Sequence, residues 1–274
     1  MPRFESRKSD LLANSKKIKR QRVIKRWVWG SVLVFVVFGV FVGFTWASFF
    51  RVQNITVKGN TATATKDFEE GAKALLSGRQ WLIFPKNNLL IFRENAFKEE
   101  LVKSFPQIDV LEVNREFAHT LIISLTERSI AGVYCVGSDC GYLDKLGFVY
   151  RKAPFYSPGV YFIARPGASS SPASLDWDNG FVINNATSFE KALALKKALG
   201  GEVSILETEL ISEEIFRLVT DESWSILAST DSDTSLMARN LLVLLKQKLT
   251  EDRANLSYVD LRFGKKLFYK FRGE

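Results

Sequence analysis

The sequence predicts an α+β protein: a single N-terminal transmembrane helix, then a β-α-α-β-β module, then a β-rich domain with two helices. Three observations predict it. Trp27 to Phe50 is a run of 24 residues without a charge. Residues 51–128 frame two stretches of helical spacing with strand-like alternation. From residue 129 onward alternating runs dominate, interrupted by two helical repeats.

The apolar run comes first. At about 1.5 Å per helical residue it reaches roughly 36 Å, enough to cross a ~30 Å hydrocarbon core with some tilt. Ten of the 38 basic residues precede it: Arg3, Arg7, Lys8, Lys16, Lys17, Lys19, Arg20, Arg22, Lys25 and Arg26. Only Glu5 and Asp10 oppose them, and the remainder balances at 28 basic against 28 acidic residues. The net charge of +8 therefore sits in residues 1–26. By the positive-inside rule this tail is cytoplasmic and residues 51–274 lie beyond the membrane. A neutral exported body has no electrostatic footprint for nucleic acid. The tail itself suits anionic lipid head groups, at about 1 kcal/mol per charge near the surface.

A cleaved signal peptide has an apolar core of about 7–15 residues ending in a small-x-small site. This run is longer, and Thr45-Trp46-Ala47 fits such a site poorly, so residues 27–50 read as a signal anchor. Trp27, Trp29 and Trp46 lie near its ends, where indole rings favour the interface. Gly39 and Gly43 form a GxxxG pattern that lets a second helix approach for transmembrane packing, although glycine is common in membrane helices without that role.

After the anchor, Ile55 and Val57 alternate and stop at Gly59-Asn60, as a strand does. Thr65 or Asp67 is expected to cap a helix with Phe68, Ala72, Leu75 and Leu76 on its apolar face, ended by Gly78. A loop with Pro85 follows, then a helix over about 93–104 with Phe97, Leu101 and Phe105 spaced by four, broken by Pro106. Leu111 and Val113 form one further alternation; Leu121, Ile123 and Leu125 form the next. A small sheet with both helices on one face buries this order economically.

Cys135 and Cys140 enclose Val-Gly-Ser-Asp between strand-like runs. The spacing suits a disulfide closing a hairpin in an oxidising compartment, with two free thiols as the alternative. Further on, Ser188 is expected to cap a helix through Leu199 that Gly200-Gly201 ends. Val203 to Leu206, Ile215 to Val219 and Trp224 to Leu227 read as strands, with a tight turn at Asp221-Glu222-Ser223. Asp233 or Thr234 caps a helix over about 235–250 that carries Leu241, Leu242, Leu245 and Leu249. Leu256 to Phe263 and Lys266 to Phe271 form a terminal hairpin around Gly264-Lys265.

The stretches F-x-V-x-x-I-x-V-x-G-N at Phe50 to Asn60 and T-L-x-I-x-L-x-E-R at Thr120 to Arg128 resemble the FtsQ/DivIB family of cell-division proteins. The resemblance extends to Tyr142-Leu143-Asp144 with Gly147-Phe148-Val149, and to Tyr258-Val259-Asp260-Leu261-Arg262. The family usually has a proline before the T-L strand and another after Glu-Arg; Ala118-His119 and Ser129-Ile130 stand there instead. The resemblance implies a POTRA-like domain at 51–128, an FtsQ-like β domain at 129–274, and a non-enzymatic divisome scaffold acting in septum formation. Its implied partners are FtsB/FtsL-like (DivIC/FtsL) single-pass division proteins, and its implied place is the division site. Arg262 matches the family's partner-contacting arginine.

The last strand ends the chain and is expected to be an edge, open to β-augmentation by a partner segment. Phe263, Phe268, Tyr269 and Tyr258 join Arg262 as candidate partner-binding residues, the arginine offering a fork to a partner carboxylate. Lys265, Lys266 and Lys270 fit a purely protective role for the same edge. Val259 and Leu261 are expected in the core.

Catalysis, cofactor and metal find little purchase. His119, the single histidine, opens a predicted strand without a nucleophile motif. Asp176-Trp-Asp178-Asn179-Gly180 and Asp231-Ser-Asp233 look superficially like calcium loops but read better as a loop and a helix cap. The alternative class is a membrane-anchored peptidoglycan hydrolase or transglycosylase. A third, a POTRA-bearing translocation component, predicts POTRA repeats or a membrane barrel.

Overall fold

Alternating apolar residues generate the strands, and helical repeats of apolar residues generate the helices that cover them. A computed structural model describes residues 3–46, 48–80, 84–116, 119–154, 160–167, 175–177, 179–250 and 252–273. Much of the Gly/Pro/Ser-rich segment near 157–180, Asp178 of the first acidic loop, and Ala47 of the weak cleavage motif lie outside the described residues.

The chain divides into two compact units. One comprises Met1–Lys58, Ala64–Phe97 and Val113–Ser124; the other comprises Gly59–Thr63, Lys98–Glu112 and Leu125–Glu274. The first begins with α1 (Arg3–Thr45), whose stretch Val23–Thr45 is long and apolar enough to cross a membrane. The helix stops at Thr45, five residues short of the apolar run's end, and Ser48–Phe50 tighten into a 3-10 turn.

In chain order, across parts of both units, there follow β1 (Asn54–Lys58), α2 (Thr65–Leu76), the short pair β2 (Arg79–Gln80) and β3 (Phe84–Pro85), α3 (Glu94–Ser104), β4 (Ile108–Glu116) and β5 (Thr120–Glu127). The expected β-α-α-β-β order holds, with the β2–β3 ribbon added between the helices. The sheet order is β1-β5-β4, and β1 runs parallel to β5 in the register Ile55–Leu121 and Val57–Ile123. The alternation buries Ile55, Val57, Leu121, Ile123 and Leu125, while α2 contributes Phe68, Ala72 and Leu76. Neither Thr65 nor Asp67 caps α2: Ala64 takes the N-cap position without a side-chain bond.

The second unit is built on a ten-stranded sheet, ordered β10-β8-β7-β6-β9-β11-β12-β13-β14-β15. Its strands are β6 (Gly132–Val136), β7 (Asp139–Leu143), β8 (Phe148–Lys152), β9 (Ile163–Pro166), β10 (Phe181–Val182), β11 (Ile205–Leu210), β12 (Ile215–Thr220), β13 (Ser225–Ser229), β14 (Leu256–Phe263) and β15 (Lys266–Phe271). Helices α4 (Ala186–Leu199) and α5 (Thr234–Gln247) bury their apolar residues with one face of it, around Trp224, Phe189 and Phe216. Ser188 does not cap α4; its hydroxyl donates to the Ser212 and Glu213 carbonyls, and Asn185 holds the N-cap position. Asp233 does cap α5, accepting from the Leu236 N–H at 2.7 Å. On the opposite face, the disulfide between Cys135 and Cys140 packs with Val133, Ala153 and Ile163.

Candidate functional site: the terminal hairpin and its polar supports

The hairpin forms where its sequence says it should. Gly264 adopts φ +65° in the turn, a conformation that suits glycine, and joins β14 to β15. Strand β14 lies parallel to β13 on its inner side, with Ile226 beside Val259 and Leu227 beside Asp260. Among the described residues β15 has β14 as its one neighbour in the sheet order, so its outer edge carries backbone groups with no described strand beside them.

Strand alternation sorts the side chains. Val259 and Leu261 are 0% and 1% exposed, as core positions. On the other face Asp260 stands opposite Phe268, and Tyr258 opposite Lys270. A bulge between Asp260 and Phe263 re-aims Phe263, bringing its ring centroid within 5.2 Å of Phe268 in an edge-on arrangement. Tyr258, Phe263 and Phe268 are all exposed there. Tyr269 does not join them: it pairs with Val259 on the helix-bearing face and stacks edge-on with Phe271 at 5.5 Å. The five candidates therefore divide into a patch of three aromatics with Arg262, and Tyr269 around the edge.

Arg262 is not an open fork. Its Nε donates to Asp260 Oδ1 at 3.0 Å and its Nη2 to Oδ2 at 2.7 Å, closing bidentately within the strand. Those hydrogen bonds raise the guanidinium's pKa above its ordinary value. Asp260 is only 5% exposed, and the ion pair offsets the cost of burying it. In the chain by itself the Arg262 fork is therefore occupied by Asp260, two residues away in the same strand. Sequence alternation indicated that Asp260 faces away from the core, but not that Arg262 and the hairpin cover it.

Two further polar arrangements explain the motif residues upstream. Glu127 accepts from the N–H groups of Thr61, Ala62 and Thr63 at 3.2, 2.6 and 3.0 Å, and from the Thr61 hydroxyl at 2.9 Å. Burial alone pushes its carboxyl up, but the Ala62 N–H, the Thr61 hydroxyl and the Thr63 N–H outweigh that and bring it down to about 2. Gly59, at φ +91°, leaves no room for a Cβ against the Leu125 carbonyl.

The neighbouring Arg128 donates to Asp144 Oδ2 at 2.6 Å, to Asp109 at 3.3 Å and to the Pro106 carbonyl at 3.1 Å. Its guanidinium also lies 4.6 Å from the Phe148 ring centroid. Asp144 Oδ1 accepts from the Leu146 and Phe148 N–H groups, shaping the turn that Gly147 completes at φ +80°.

Residues 50–128 match the family model described as POTRA domain, FtsQ-type. The chain carries an FtsQ-type POTRA domain. The match supports its assignment to the FtsQ/DivIB family. No curated protein matches the chain. The POTRA match ends at Arg128, so Glu127 clamps a turn inside the domain while Arg128 reaches Asp144 beyond it.

The His119 carbonyl accepts from the Gln53 and Asn54 N–H groups, and its ring stacks edge-on with Phe49. Asp233 is the α5 cap, and Asp176 holds Asn179 in a local turn. A Cβ added at Gly39 or Gly43 would meet nothing within 4 Å among the described residues, so that face of α1 is open.

Proposed function

We propose that this protein is a single-pass scaffold of the bacterial division machinery. Its N-terminus is cytoplasmic and its folded units are extracytoplasmic at the division site. In this reading α1 anchors the chain, Gly39 and Gly43 offer a helix-packing face, and the POTRA domain contacts early partners. FtsB/FtsL-like (DivIC/FtsL) single-pass proteins are captured at the terminal hairpin. The protein has no catalytic step; it acts by recruitment. FtsQ-type POTRA families are in general non-enzymatic, which supports this.

One observation carries the capture site: β15 is a six-residue edge strand flanked by exposed Phe263, Phe268 and Tyr258. A partner strand added to β15 makes ladder hydrogen bonds, and alternate side chains of that strand meet the aromatic patch. Arg262, fixed on Asp260 at 2.7 Å, presents its remaining N–H donors in one orientation beside that patch.

The test is co-purification of the tagged full-length protein from detergent-solubilised host membranes. Phe268→Ser, which places no charge opposite Asp260, is expected to lose the small coiled-coil partners while keeping a cooperative melting curve. Undiminished recovery of those partners by Phe268→Ser contradicts the reading.

A further inference from the structure

The outer end of the membrane helix is finished by residues from the folded part of the same unit. A helix ends with carbonyls that lack intrahelical partners, and in a low-dielectric interface such groups are costly. Asn88, fully buried, donates from Nδ2 to the Thr45 carbonyl at 2.5 Å. Arg51 donates from Nη2 to the Trp46 carbonyl at 2.8 Å. The backbone holds both in place: Leu89 N–H donates to Phe50 and Val52 N–H to Asn87, each at 2.8 Å.

That arrangement brings part of the folded unit down alongside the apolar helix. The Phe84 ring of β3 lies edge-on to Phe41, 6.4 Å between centroids. Phe41 is one helical turn, about 6 Å, inside the end of the span at Thr45. Leu90 and Phe49 are more than half exposed. The guanidiniums of Arg51 and Arg79 lie 5.5 and 5.0 Å from the Trp46 ring.

From this we infer that residues 84–90 are a membrane-interface element, and that Arg51 and Arg79 bind the phosphate of an anionic phospholipid in the outer leaflet. The inference rests on reading Val23–Thr45 as the membrane span. Continuity with that span identifies the occupant as lipid: Phe84 shares the depth of Phe41, an exposed Leu90 gains by leaving water, and an indole flanked by cations matches the headgroup layer. Guanidinium pairs with phosphate by charge-assisted hydrogen bonds. The folded unit is thereby seated on the bilayer rather than hung from a flexible tether.

The test uses the full-length protein in nanodiscs, with an environment-sensitive fluorophore on an introduced Leu90→Cys and doxyl-labelled lipid as quencher. Phe35→Cys, in the middle of the span, is the reference. Quenching at both positions is expected, with stronger quenching at Leu90→Cys in discs containing phosphatidylglycerol than in phosphatidylcholine alone. Adding Arg79→Gln is expected to abolish that lipid difference. Quenching at Phe35→Cys without quenching at Leu90→Cys overturns the inference and leaves the span standing. Quenching at neither position overturns the span reading itself. A lipid difference that is absent, or that survives Arg79→Gln, overturns the phosphate contact.

Discussion

Two arginines of the second unit each close on a nearly buried aspartate, and they do so for different ends. Arg128 meets Asp144 at 2.6 Å and Arg262 meets Asp260 at 2.7 Å. Each guanidinium also lies over a phenylalanine, Phe148 or Phe263. Yet the Arg128 side chain is 16% exposed and tied to a backbone carbonyl and a second aspartate, whereas that of Arg262 is 32% exposed. The first pair is a closed clamp on a turn. The second fixes a charge at the surface of an edge hairpin. The same chemistry serves rigidity in one place and presentation in the other, and the surroundings decide which.

The largest expected effect sets the scale for an uncompensated charge beside the second pair. Val259→Asp buries a carboxylate with no partner and is expected to cost more than about 4 kcal/mol, read as loss of cooperative unfolding. Arg128→Ala breaks the clamp and leaves Asp144 with backbone donors alone. A loss of about 3 kcal/mol in denaturant unfolding is expected, and a loss below that of Arg262→Ala reverses the comparison.

Arg262→Ala is expected to cost about 1–2 kcal/mol, since Asp260 keeps the Arg262 backbone N–H and the lost guanidinium is itself 32% exposed. Arg262→Glu is worse, placing a second carboxylate against a buried one, so it tests stability before it tests partner capture.

Glu127 supplies a pH-dependent contribution. Its folded pKa lies below the unfolded value, so its stabilisation is full above about pH 4.5 and is lost as pH falls towards about 2. After allowance for solvent screening, Glu127→Gln is expected to cost about 1 kcal/mol at neutral pH and nothing near pH 2. A cost that persists at pH 2 assigns the effect to packing. Phe268→Ser is expected to change stability by less than about 1 kcal/mol, because the ring is exposed and no charge is placed opposite Asp260, while removing partner capture.

Much of the architecture was legible in local pattern. The alternations at Ile55/Val57, Leu121/Ile123/Leu125 and Val259/Leu261 gave strands and facing, and Gly264 gave the final turn. What escaped depends on distant neighbours. Strand β9 is four residues ending in Pro166 and exists because β6 and β11 flank it in parallel, which no local alternation announces. Ser188 has the chemistry of a cap but bonds to carbonyls 24 and 25 residues away. The long apolar helix stops at Thr45, where Asn88 and Arg51 donate to the Thr45 and Trp46 carbonyls, although the uncharged run continues to Phe50.

At the candidate site the aromatic identities and the edge position were readable. The bulge that joins Phe263 to Phe268, the separation of Tyr269, and the internal pairing of Arg262 were not, since each depends on cross-strand register.

In the proposed reading the β15 edge, rather than the opposite edge of the same sheet, receives the partner. That opposite edge is β10, two residues long, with Val182 exposed. The most direct measurement is photo-crosslinking in dividing cells with a photoreactive amino acid placed at Phe268 or at Val182 in the full-length protein. Adducts with a small single-pass coiled-coil protein from position 268, and none from 182, are expected. Adducts from 182 alone, or from neither position, contradict capture at the terminal hairpin.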